Sequence, residues 1–195
     1  MSTVLNQLHS ASQRGELSDI ALHFAELLGR LDPRAGPPVL LAGALVSERT
    51  IGGDVCLRLA DEAGRPQLAA AGEGGIQAPD LAEWCEALQQ SESVGQPGES
   101  RPLILEPDGR LYLYRYWDWE KRLAEDLLSR VALPDFDLAD TSVARAVEMF
   151  FPLQPETLWQ RVAATLAVLR PFSVITGGPG TGKTTTVVRI LALLQ

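Results

Sequence analysis

Residues 172–186 read Phe172-Ser173-Val174-Ile175-Thr176-Gly177-Gly178-Pro179-Gly180-Thr181-Gly182-Lys183-Thr184-Thr185-Thr186. The run that leads in is apolar and β-branched, which predicts a strand, and residues 187–194 form an amphipathic run that predicts a helix. Between them lies the pattern G-x-x-x-x-G-K-[ST], carried by Gly177, Gly182, Lys183 and Thr184. Strand, loop and helix in that order are the context in which this pattern forms a phosphate-binding loop. A glycine-rich turn ahead of an ordinary helix is the plainer alternative.

The residue types suit the chemistry of a triphosphate. A loop must come close enough to the phosphates for its backbone N–H groups to donate, and Gly177, Gly178, Gly180 and Gly182 have no Cβ to obstruct that approach. The helix that follows points its unpaired N–H groups and positive dipole end at the same anion. Lys183 is expected to reach the β- and γ-phosphates as the catalytic lysine, and the Thr184 hydroxyl to sit on Mg²⁺. Pro179, Thr181 and Thr185 complete the expected ATP-binding set in the loop. ATP and Mg²⁺ are therefore the expected cofactors.

An ATPase of this kind also needs an acidic residue on a second strand, a group that positions the attacking water, and an arginine for the transition state. Gln195 comes one helix after the loop. The expectation is the front part of a longer protein, interrupted after the Walker A helix, inactive alone and weak in its hold on Mg·ATP.

The rest of the chain bounds this reading. With 195 residues, 46% hydrophobic and 22% charged, the sequence has the balance of a soluble globular protein of one large or two small domains. No apolar run approaches the ~20 residues of a membrane span, and residues 1–7 carry no basic-then-apolar leader, so a cytoplasmic location is expected. Cys56 and Cys85 stand apart without ligand-like companions and read as reduced core residues, and His9 and His23 suggest no metal site. Residues 1–140 hold 23 of the 25 acidic and 12 of the 17 basic residues, a net of −11, while residues 141–195 carry +3. So acidic a front half is a poor footprint for nucleic acid and suits a protein partner or plain solubility.

Taken in order, residues 16–31 place Leu17, Ile20, Ala21, Phe24, Leu27, Leu28 and Leu31 at helical spacing, with Ser18 or Asp19 as cap and Asp32-Pro33 as stop. Residues 39–46 fit a buried helix or a strand. Residues 54–60 alternate as a strand, residues 61–77 read as loop, and residues 80–90 as a helix presenting Leu81, Trp84, Cys85 and Leu88. After a loop over 91–101, residues 102–106 and 110–116 form a hairpin about Pro107-Asp108-Gly109. Its second strand gathers all three tyrosines and, over 111–119, two of the four tryptophans. Such a strand can stack bases or simply be half-buried, and the local acidity favours burial. Residues 119–131 read as helix, 133–137 as linker and 142–150 as helix. In residues 157–169, Leu158, Val162, Leu166 and Leu169 form the expected core stripe, with Ala163 and Ala164 alongside and Gln160 on the same helix.

Leu158-Trp159-Gln160-Arg161-Val162-Ala163-Ala164 and the segment 174–186 together resemble the first two motifs of superfamily 1 DNA helicases. Within that group the chain is similar to the RecD family, the alpha subunits of exodeoxyribonuclease V, and Gly53-Asp54-Val55-Cys56-Leu57 and residues 111–117 extend the likeness. The resemblance implies that Gln160 hydrogen-bonds adenine, that residues 178–183 cradle phosphate, and that Thr184 holds magnesium. It further implies an ATP-driven 5′→3′ translocase that works with beta and gamma subunits on double-stranded DNA ends and single-stranded DNA. The fold it implies is α/β: a mixed α+β partner-docking domain over 1–116, a helical connector over 117–140, and the start of a RecA-like motor over 141–195. Two other readings stay open, a different P-loop ATPase and a non-enzymatic interaction module with a vestigial loop.

Overall fold

The computed structural model describes residues 3–69, 75–134, 141–152 and 158–194. Residues 135–137 of the expected linker, with Thr157 and Gln195, lie outside the described residues. The chain divides into two compact units, Met1–Lys121 and Arg122–Gln195.

The first unit opens with helix α1 (Thr3–Gln13), which buries Val4, Leu8 and Ala11. Nothing in its polar sequence announced a helix. The spacing i, i+4, i+7 makes one narrow apolar face, and packing against α2 (Asp19–Leu31) and α3 (Pro37–Ile51) holds it. Ser18 caps α2 by accepting from the Ala21 N–H, and the Ser18 N–H donates to Glu48 Oε2 at 2.8 Å, tying the start of α2 to α3. The helix buries Ala21, Leu22, Ala25 and Leu28, whereas Ile20, Leu27 and Leu31 of the expected stripe are exposed. Small residues explain the rotation. A Cβ placed on Gly43 of α3 would lie 2.2 Å from Leu28 Cδ1, so the helices meet where that glycine admits Leu28. Residues 39–46 are helix, resolving the helix-or-strand ambiguity, and α3 buries nine successive residues from Val39 to Ser47.

Strand β1 (Leu57–Arg58) is shorter than the strand expected over 54–60, because helix α4 (Leu59–Glu62) begins at once. The expected loop over 61–77 contains an antiparallel pair, β2 (Pro66–Gln67) with β3 (Ile76–Gln77). Helix α5 (Leu81–Gln89) buries Trp84 and Leu88, and the Trp84 indole N–H donates to the Pro38 carbonyl at 2.9 Å. The expected loop over 91–101 contributes β4 (Val94–Gly95), parallel to β5 (Leu103–Leu105), which pairs antiparallel with β6 (Arg110–Leu113). The sheet order is β1-β6-β5-β4.

Side chains alternate across this sheet. Leu57, Leu103, Leu105 and Leu111 join the helices in the main core, while Ile104 and Tyr112 on the other face pack with Trp117 and Cys56. The aromatic strand expected to run to Tyr116 ends at Leu113, and helix α6 (Tyr114–Val131) starts there, five residues before the helix expected from 119. Proline supplies the reason. The Tyr114 N–H still donates to the Pro102 carbonyl at 3.0 Å, but Pro102 has no N–H to return, so the ladder stops. Tyr116, Trp117 and Trp119 are thereby placed on a helix.

In the second unit, α7 (Thr141–Phe150), α8 (Leu158–Leu169) and α9 (Lys183–Leu193) pack on one another around Phe151, Ala164 and Ile190. Helix α8 buries Ala164 and Val168, and Leu158, Val162 and Leu166 of its expected stripe are exposed. The small Ala164 side chain lets α8 lie close to Ile190 of α9, which sets the buried face. The strand expected ahead of the loop is absent: residues 173–178 are irregular, and among the described residues no strand pairs with them. An apolar β-branched run becomes a strand only where a neighbour accepts its hydrogen bonds.

Candidate functional site: the phosphate loop

The loop closes between Gly177 and the first turn of α9. Gly180 and Gly182 both adopt left-handed backbone, with φ of +76° and +77°, where a Cβ would be strained. Gly182 is the N-cap of α9 and makes no side-chain cap, so the helix offers its first N–H groups to the loop side. Gly177 lies close to Thr181, and a Cβ there would be 2.8 Å from Thr181 Oγ1, so that hydroxyl would have to move.

The polar side chains brace this turn. Lys183 folds back over the loop, and its ammonium donates to the carbonyls of Gly177 at 2.5 Å and Gly178 at 2.6 Å. The Thr181 hydroxyl donates to the Gly178 carbonyl at 2.9 Å. Gln160, from α8, brings its amide to the far end of the loop and donates to the Thr181 carbonyl at 3.5 Å. Thr186, buried and outside the set expected from the motif, donates its hydroxyl to the Gly182 carbonyl at 2.9 Å. A third successive threonine was the only sequence signal for it.

These residues fit a bound triphosphate with its magnesium. The site is exposed from Thr176 to Thr181, with Lys183 half-buried, so the cation is available at the surface. An uncapped helix start, two left-handed glycines and one ammonium lie within residues 177–183, and all three favour an anion. Thr184 and Thr185 are exposed on the first turn of α9, where a hydroxyl can meet a metal held by phosphates. The structure thus brings together Gly177, Gly178, Pro179, Gly180, Thr181, Gly182, Lys183, Thr184, Thr185 and Gln160.

Other features of the described residues assemble no second site of this kind. No group of three or more His, Cys, Asp or Glu side chains gathers there as a metal centre. A cavity of about 470 Å³ lined by Arg49, Asp54, Cys56, Arg58, Asp61 and Arg65 mixes both charges, and Arg49 is paired with Glu62. Burial pushes the thiols of Cys56 and Cys85 up, keeping both protonated at neutral pH, and neither is in a disulfide. Tyr112 and Trp117 are buried, so they form no stacking platform. Trp119 is exposed and packs edge-on against Tyr116 on α6.

Comparison with known proteins gives the context. Residues 13–112 match the family model of the RecBCD enzyme subunit RecD, N-terminal domain, and residues 160–195 match an AAA domain. The chain is 38% identical over 174 residues to a RecBCD enzyme subunit RecD of Mycolicibacterium smegmatis, covering 89% of this chain and 28% of that protein. It is 34% identical over 190 residues to the protein of that name from Mycobacterium tuberculosis, covering 94% and 29%. With the Haemophilus influenzae protein the identity is 44% over 91 residues, covering 45% and 14%. The chain thus spans under a third of the length of the relatives it matches.

Proposed function

Because the chain belongs to the family of the RecBCD enzyme subunit RecD, N-terminal domain, we propose that it serves in the alpha subunit of exodeoxyribonuclease V. In this reading the whole protein is an ATP-dependent 5′→3′ DNA helicase, working in the cytoplasm with beta and gamma subunits on double-strand ends during repair and recombination. The match over residues 13–112, on the same chain as the phosphate loop, carries the proposal. No helix among the described residues is long and apolar enough to cross a membrane.

The proposed division of labour has three parts. Residues 1–116 are the partner-docking part, 117–140 the connector, and 141–195 the start of a RecA-like motor. The acidic front half suits a basic protein surface better than it suits DNA. In the second unit, Lys183 exchanges its bonds to the Gly177 and Gly178 carbonyls for phosphate oxygens. The α9 N–H groups would donate to the phosphates, Thr184 would hold the metal, and Gln160 would offer a donor and an acceptor to the adenine edge. A magnesium ion held there by Thr184 and the phosphates would supply positive charge to offset that of the triphosphate.

The 195 residues bind nucleotide without turning it over, because positioning the attacking water needs groups on neighbouring strands, and none pairs with residues 172–176 among those described. Calorimetry with Mg·ATP, paired with a phosphate-release assay on the same chain, tests this. Saturable binding with no release is expected. Multiple turnover by the chain alone would overturn the division of labour, and absence of binding would overturn the nucleotide site.

A further inference from the structure

We propose that Gln160 is a positioning residue for the phosphate loop, bracing it from α8 whether or not a base is present. This inference rests on the phosphate-binding reading above and goes beyond the adenine contact assigned to the same side chain.

The argument starts from what else holds the loop. Among the described residues, the loop's other side-chain hydrogen bonds are internal: Lys183 to Gly177 and Gly178, Thr181 to Gly178, and Thr186 to Gly182. These fix the loop's shape but not its placement against the rest of the unit. Gln160 comes from a different helix, and α8 is itself anchored through Ala164 in the cluster with Ile190 and Phe151. Its half-buried amide meets the loop at the two residues that turn the chain into α9.

Two contacts are made there. The Gln160 amide donates to the Thr181 carbonyl at 3.5 Å, a long bond that is weak by itself. Proximity adds to it. A Cβ on Gly182 would lie 2.8 Å from Gln160 Nε2, so the amide occupies the space beside Gly182 that a side chain would take. Gly182 is the left-handed N-cap that starts α9. An amide held there limits the room into which the helix start can move. A primary amide has two N–H donors and one carbonyl acceptor. One N–H used on Thr181 leaves the other, and the carbonyl oxygen, for a base edge. Gln160 can therefore read the base and hold the loop at once.

The test uses a ligand with no base. Inorganic tripolyphosphate and ATP are titrated calorimetrically into the 195-residue chain and into Gln160→Ala and Gln160→Met. The methionine variant keeps about the length of the side chain and loses its N–H donors without adding charge. Thermal melting checks that the fold persists, and amide hydrogen exchange at Gly182, Lys183 and Thr184 reports on the helix start. If Gln160 braces the loop, both variants bind tripolyphosphate about 3- to 10-fold more weakly, the scale of one modest hydrogen bond. Exchange at those amides quickens while the melting temperature stays put. A loss of ATP affinity with tripolyphosphate affinity unchanged would overturn the brace and leave a base reader only. Failure of the parent chain to bind tripolyphosphate would overturn the phosphate reading itself, and the brace with it.

Discussion

Single residues account for the chemistry and for one unusual piece of the core. Lys183 is the only side chain of the loop that brings positive charge to it, and it already bonds two loop carbonyls. Lys183→Ala should lower affinity for Mg·ATP by about 10- to 100-fold, the scale of a charge-assisted hydrogen bond, with little change in melting temperature. Titration calorimetry on both chains checks it. Asp32 is a buried carboxylate at the end of α2. It accepts from the Ser91 hydroxyl at 2.6 Å, the Glu92 N–H at 3.0 Å and the Arg34 N–H at 3.0 Å. The Ser91 hydroxyl is the main cause holding its carboxyl below the usual range, and burial works against it. A folded value below the unfolded one means that the stabilisation is fully present above the unfolded value, near 4, and is lost as pH falls through the folded value. Asp32→Ala should cost about 1–3 kcal/mol at pH 7, because it leaves the buried Ser91 hydroxyl and two part-buried N–H groups without their acceptor. The gap between variant and parent should narrow in urea titrations below pH 4.

At the scale of elements, small residues choose which faces meet. Gly43 on α3 admits Leu28 of α2, and Ala164 on α8 lies against Ile190 of α9. The leucines of greatest hydrophobicity in each stripe do not all end up inside. Gly43→Ala should destabilise the chain by about 1–3 kcal/mol despite raising helix propensity, because the added methyl meets a fully buried Leu28 with no room to retreat. Urea unfolding monitored by Trp84 fluorescence measures it, and added stability would mean that α2 and α3 are not in contact at that point. The handover from β6 to α6 has a similar local cause, a proline at 102 that accepts one hydrogen bond and cannot return one.

Across the whole molecule, charge separates the two units. Residues 1–121 hold 18 acidic and 10 basic residues, and residues 122–195 hold seven of each, so the entire net charge of −8 belongs to the first unit. Affinity for nucleic acid depends largely on phosphate neutralisation by lysine and arginine. The 195-residue chain should therefore show no saturable binding to single-stranded DNA by fluorescence anisotropy, even at about 50 mM salt. Tight, salt-sensitive binding would mean that a basic face is formed despite the net charge. The same acidity favours association with a basic protein surface, with an on-rate that falls as salt screens it.

The sequence by itself determined the glycine-rich turn and the helix after it. Glycine spacing, lysine position and the start of a helix are local facts, fixed within one turn of chain. It also determined α2 and α5, whose periodic apolar positions are equally local, whereas α3 stayed open between helix and strand until it was packed. Tertiary structure decided what depends on a neighbour. Helix α1 exists because α2 and α3 cover its narrow face, and residues 172–176 form no strand because no partner pairs with them among the described residues. The buried faces of α2 and α8 followed close approach at Gly43 and Ala164 rather than hydrophobic count. The contact of Gln160 with Gly182 joins two helices across 22 positions of sequence, so its role in placing the loop could be read only after the chain had folded.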